Sequence, residues 1–120
     1  MWATRTLTGF LIFEVILFAF ASLMHAGLLL PGHVHARAAI AEAVIAAVLT
    51  LGLVIMLVRP AIARRAALVV QGFAVLGVLV GLMTIAIGIG PRTVPDLVIH
   101  AVMLITLVAG VLAALRTRPA

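Results

Sequence analysis

Three acidic residues, Glu14, Glu42 and Asp96, and four histidines, His25, His33, His35 and His100, are the groups in this 120-residue chain best able to hold or pass a proton. Most lie in or beside long apolar runs. An ionisable side chain at a bilayer centre costs about 2.5–3.5 kcal/mol on insertion scales, so each needs a partner or a task. Glu14 precedes His25 by eleven residues, about 16 Å and nearly three turns along a helix. Glu14, Phe18, Ala21 and His25 therefore share one stripe, which should face other helices. If the apolar segments 7–29, 38–58, 66–90 and 96–115 are helices, His25, Glu42 and His100 each lie about five residues from the same end. Thr84 falls at a similar depth on the third helix. The expectation is that His25, Glu42 and His100 meet, with His35 capping them from above.

Imidazole and carboxylate in that arrangement suit Zn, Cu, Fe or Mn, so His25, Glu42, His100 and His35 form a candidate transition-metal site. A mutually satisfied hydrogen-bond cluster is the alternative. Paired histidines on two helices could also hold haem b, with Arg37 and Arg92 near its propionates. Gln71 lies at about the depth of Glu14, making this pair a candidate ligand or proton site, or a hydrogen bond across the bundle. Nucleophilic catalysis finds no support. Ser22, the only serine, has no evident base and orienting partner, and cysteine is absent. The chain reads as a binding or subunit protein rather than an enzyme.

The elements that must position these groups follow from composition. Hydrophobic residues make up 67% and charged residues 9%, with a mean hydropathy of +1.45. Soluble domains are near 45–50% apolar and about 25% charged, so a water-soluble fold is excluded. About 20 apolar residues cross a bilayer core, and the four segments meet that length. They fill a single transmembrane domain over residues 1–120 and leave no room for a soluble one. Pro31, Pro60, Pro91 and Pro95 fall in the three loops, with Leu30-Pro31-Gly32, Arg59-Pro60 and Gly90-Pro91 ending successive helices. The expected fold is all-α, an integral-membrane up-and-down bundle of four helices.

The net charge of +5 comes from dispersed arginines, which is a pattern of membrane flanks and not of nucleic-acid binding. Arg5, Arg59, Arg64, Arg65, Arg116 and Arg118 lie on one side and Arg37 and Arg92 on the other. Six against two predicts both termini in the cytoplasm, with the histidines on the opposite side. On the third helix Gly77, Gly81, Thr84 and Gly88 recur at steps of four, three and four. Such a small-residue stripe lets backbones approach closely, inside the bundle or in a homodimer.

Residues 38–83 run from Ala-Ala-Ile-Ala-Glu42 through Leu51-Gly52-Leu53 to Arg59-Pro60-Ala61 and Arg64-Arg65-Ala66-Ala67. This resembles the middle of the DoxX-like superfamily of small four-helix membrane proteins. There a glutamate opens helix 2, a Leu-Gly-Leu stretch follows, and an arginine-containing turn leads into an Ala-rich helix 3. The resemblance implies a component of redox or sulfur-related complexes in the bacterial inner membrane, with Glu42 as the one polar residue carried over. The family's arginine and lysine in helix 1 have no match here. Phe13-Glu14-Val15-Ile16 is also similar to the first helix of the small multidrug resistance exporters. That likeness implies a proton-coupled transporter using Glu14, although their aromatic cage has no counterpart in a chain without Tyr. The expected partners are the lipid bilayer and either other membrane subunits or a second copy.

Overall fold

The computed structural model describes residues 2–119. Four long helices account for most of them: α1 Trp2–His25, α2 Ala36–Val58, α3 Ala63–Ala86 and α4 Val94–Arg116. A short 3-10 turn, Pro60–Ile62, joins α2 to α3, and no strand occurs among the described residues. Each helix packs on the next and α4 closes back on α1, so the short connections produce an up-and-down bundle. All four helices are long and apolar enough to cross a membrane. Their outer faces are apolar, with Ile16, Leu57, Leu76 and Ile105 turned away from the bundle. The polar residues Glu14, His25, Glu42, Gln71, Asp96 and His100 are all buried. This inside-out distribution is what lipid selects.

Helix ends depart from the spacing-based expectation in one consistent way. α1 stops at His25 instead of near residue 29, and α3 stops at Ala86 instead of near residue 90. The prolines of the loops do not stop them. Gly27 and Gly88 adopt φ of +81° and +86° respectively, the left-handed conformation that glycine takes without a Cβ penalty. Leu28 N–H then bonds back to Leu23 O and Gly27 N–H to Met24 O, while Ile89 and Gly88 repeat the pattern on Thr84 and Ile85. Each is a Schellman cap, which satisfies carbonyls that lipid could not. The Arg92 side chain adds bonds to Ile85 O and Ala86 O at 2.9 and 2.8 Å. Gly88 therefore lies past the helix and not on its packing stripe.

The stripe from Glu14 to His25 does face inward, with all four of its residues at or below 2% exposure. Phe18 belongs to the core beside Leu11, Leu49, Met103 and Leu107, whereas Phe13 and Phe20 face outward. Ser22 Oγ donates to Ala39 O at 2.7 Å and His35 N–H to His25 O at 2.8 Å. These two bonds tie the end of α1 to the start of α2 and fix the depth of His25.

Candidate functional site

At the end of the bundle carrying the α1–α2 and α3–α4 loops, three helix termini converge. His25 is the last residue of α1. Glu42 lies two turns into α2, whose N-terminus is set by His35: its ring Nδ1 accepts from Ala38 N–H at 2.9 Å. Asp96 sits in the first turn of α4, where Thr93 is the N-cap and Pro95 the second helical residue. Thr93 Oγ1 accepts from Asp96 N–H at 3.3 Å and donates to Asp96 Oδ2 at 2.6 Å. The cap of α4 thus also aims the carboxylate.

His25 is held between two acids. Its Nδ1 lies 2.9 and 2.8 Å from the two Glu42 oxygens, and its Nε2 lies 2.6 Å from Asp96 Oδ1. All three side chains are buried. Beyond Asp96 the chain of contacts continues outward: His33 Nδ1 lies 3.2 Å from Thr93 Oγ1 and 3.9 Å from Asp96 Oδ2. One hydrogen must fill each of the two His25 contacts. Whether His25 is an imidazolium between carboxylates or a neutral ring beside one carboxylic acid, the three groups then share a single net negative charge. No Arg forms an ion pair with them among the described residues.

His25 and Glu42 therefore meet as the depth argument expects, but the third partner is Asp96. His100 lies one turn further along α4, and its Nδ1 bonds its own helix at Asp96 O, 2.7 Å away. A carbonyl can only accept, so Nδ1 carries the hydrogen and a neutral His100 has its lone pair at Nε2. His35 caps α2, and its ring stands edge-on to His25 at 6.2 Å between centroids. Among the described residues, no group of three or more His, Cys, Asp or Glu is placed to hold a metal ion. Asp96 had a legible signal: Thr93-Val94-Pro95-Asp96 is a capping-box spacing, which announces a helix start and a carboxylate turned back onto it.

Beside the cluster a cavity of about 280 Å³ opens between α2, α3 and α4. Its polar wall is His35, Arg37, Glu42, Thr84 and His100, and the remainder is largely apolar. Gly77 and Gly81 bring α3 close. A Cβ on Gly81 would stand 2.9 Å from His100 Nε2, and one on Gly77 would strike Ile45. Two of the stripe's small residues thus serve packing within the bundle and shape the cavity, and Thr84 Oγ1 bonds Gly81 O at 2.7 Å.

A second polar pair lies near the middle of the helices. Glu14 and Gln71 are both fully buried, as their spacing implies. Gln71 Nε2 donates to Ala67 O of its own helix at 3.2 Å, while Gln71 Oε1 and both Glu14 oxygens have no partner. Gly110 of α4 faces them, and a Cβ there would collide with Gln71 Oε1 and Glu14 Oε1. The two side chains are brought together without an actual hydrogen bond between them.

Comparison with known protein families, curated sequences and solved structures finds no match to this chain.

Proposed function

We propose that this protein is a small multi-pass membrane protein that binds a small, largely apolar ligand in the cavity between α2, α3 and α4. The cluster of His25, Glu42 and Asp96 supplies the polar end of that site. One observation carries the reading: Glu42 belongs at once to the buried hydrogen-bond network and to the cavity wall. A mostly apolar cavity with a few convergent polar groups is the usual form of a small-molecule site. His100 Nε2 offers an acceptor on the same wall. The DoxX-like resemblance of residues 38–83, in which Glu42 is the polar residue carried over, agrees with a redox-associated membrane subunit. The arginine bias favours cytoplasmic termini, with the cavity on the far side of an inner membrane. An impermeant thiol reagent should then label Gly32→Cys in intact cells and spare Ala61→Cys; the reverse pattern would invert the orientation.

The binding reading is tested by extracting purified protein with organic solvent and identifying co-purifying molecules by mass spectrometry. Ala41→Phe, which fills the cavity from its wall, should lose the molecule that the parent protein retains. Equal retention by the parent, Ala41→Phe and Glu42→Gln would refute a cavity site.

A second reading is favoured by the unpartnered oxygens of Glu14 and Gln71. A carboxyl group enclosed in this way is suited to carrying a proton, as in proton-coupled transport. Its check is Glu14→Gln in a liposome flux assay. Transport unaffected by that change would end this reading.

A further inference from the structure

We propose that Glu42, His25, Asp96, Thr93 and His33 form a proton path joining the cavity to the loop surface at the same end of the bundle. The proposal rests on the cavity reading, because it gives the Glu42 wall of that cavity an exchangeable proton. Four successive contacts carry it, at 2.8 Å from Glu42 to His25, 2.6 Å to Asp96, 2.6 Å to Thr93 and 3.2 Å to His33. Exposure is lowest in the middle and highest at the far end: the Glu42, His25 and Asp96 side chains are 7%, 3% and 2% exposed, and His33 is 13% exposed. Every link is a group that can both give and take a hydrogen, in one or another of its protonation states.

The direction of each hydrogen can be read from what its neighbour accepts. Thr93 has a single hydroxyl hydrogen, and it points to Asp96 Oδ2. His33 must therefore donate its Nδ1–H to Thr93 Oγ1. A proton arriving from water at His33 Nε2 can enter this chain with every atom accounted for. His33 passes its Nδ1 hydrogen to Thr93 as Thr93 passes its own to Asp96 Oδ2. His25, bonded at both nitrogens, releases its Nδ1 hydrogen to Glu42 and keeps the one at Nε2. His33 is then neutral again with its hydrogen on Nε2. Asp96 and Glu42 are carboxylic acids, His25 is a neutral ring, and the cluster has gone from one net negative charge to none. Release of the Glu42 proton into the cavity restores the net charge. A turn of the His25 ring with the Asp96 carboxyl places a hydrogen in both His25 contacts again, as Thr93 turns its hydroxyl back to Asp96 and His33 exchanges its hydrogen with water.

The groups facing this chain are few. α2 contributes Glu42 itself and Arg37 at the cavity wall, α4 contributes Asp96 and His100, and the α1–α2 loop contributes His33 and His35. From α3, Thr84 lines the cavity and no acid, His or Arg does. Thr93 is the only hydroxyl in the path, so it is the link to break.

The test is time-resolved infrared spectroscopy of the full chain in phosphatidylcholine nanodiscs after a flash-released proton, started near pH 7, above the ordinary carboxylate range of about 4. A carboxylic-acid band should grow and should be reduced in Glu42→Gln and in Asp96→Asn. Thr93→Val should slow its appearance tenfold or more without changing its final size, Thr93→Ser should restore the rate, and His33→Ala should slow it as Thr93→Val does. A parent rate in Thr93→Val and His33→Ala would overturn the path, as would a band that never forms. Because His33→Ala leaves the α4 cap in place, the outcome does not depend on Thr93→Val folding. Loss of the path with the co-purifying molecule still displaced by Ala41→Phe refutes the relay alone. Failure of the Ala41→Phe displacement refutes the cavity reading itself.

Discussion

The two polar regions of this bundle bury similar groups under opposite conditions. At the loop end, His25, Glu42 and Asp96 come from three helices, and each ring nitrogen of His25 has a carboxylate oxygen within 2.9 Å. Near mid-helix, Glu14 makes no hydrogen bond, and the single bond of Gln71 runs to Ala67 O of its own helix. The difference lies in what surrounds them. Helix ends bring caps, loops and free backbone groups, so the His25 cluster is fixed by Thr93, His35 and Ser22 from several directions. Mid-helix, every backbone N–H is already used by its own ladder, and only side chains can donate to Glu14. A polar residue can be equally buried in both places and mean different things: a built network in one, an enclosed acid in the other.

His25→Ala should separate the regions most sharply. It leaves Glu42 and Asp96 buried without their shared partner, which should cost about 3–5 kcal/mol in reversible unfolding in mixed micelles. A loss below that of an ordinary surface change would mean the network contributes nothing to the fold.

Gly110→Ala attacks the other region. The added methyl must displace the Gln71 amide, and the loss should be about 1–3 kcal/mol, largely recovered in a Gln71→Ala background. No recovery would show that the collision lies elsewhere.

Replacing both mid-helix groups, Glu14→Leu with Gln71→Leu, should reverse the sign. Because their oxygens are unpartnered, the double variant should unfold at the same denaturant level or gain up to about 2 kcal/mol. A large loss would reveal partners that the geometry does not display, and the contrast between the regions would collapse.

The smallest loss belongs to Thr93→Val, which removes a cap and one bond to Asp96. About 1 kcal/mol is expected, well below His25→Ala, and Thr93→Ser should retain most of it. Equal losses for Thr93→Val and His25→Ala would mean that Thr93, not His25, organises the cluster.

How much of this was legible follows the same division. Apolar length alone identifies four helices, and eleven residues of separation place Glu14 and His25 on one inward stripe. Depth counting brings His25 to Glu42 because α1 and α2 are joined by a short loop that aligns their ends. It does not separate Asp96 from His100, which stand one turn apart on the same face of α4. A shift of one turn in where α4 begins exchanges them, and hydropathy has no such precision. Leu28, Leu29 and Leu30 likewise read as more of α1, because transfer to lipid scores a leucine the same in a helix or a turn.

The sequence by itself determined the number of helices long and apolar enough to cross a membrane, the inward face of α1 and the burial of polar residues inside the bundle. These depend on periodicity and transfer energy, which are local properties. Only the tertiary structure decided that Asp96 completes the His25 site, that His100 faces a cavity, and that Glu14 and Gln71 meet across Gly110 without bonding. Those outcomes depend on the relative height and rotation of helices. Gly27, Thr93 and close backbone contacts set them to within one turn, a distance that no count along a single chain can resolve.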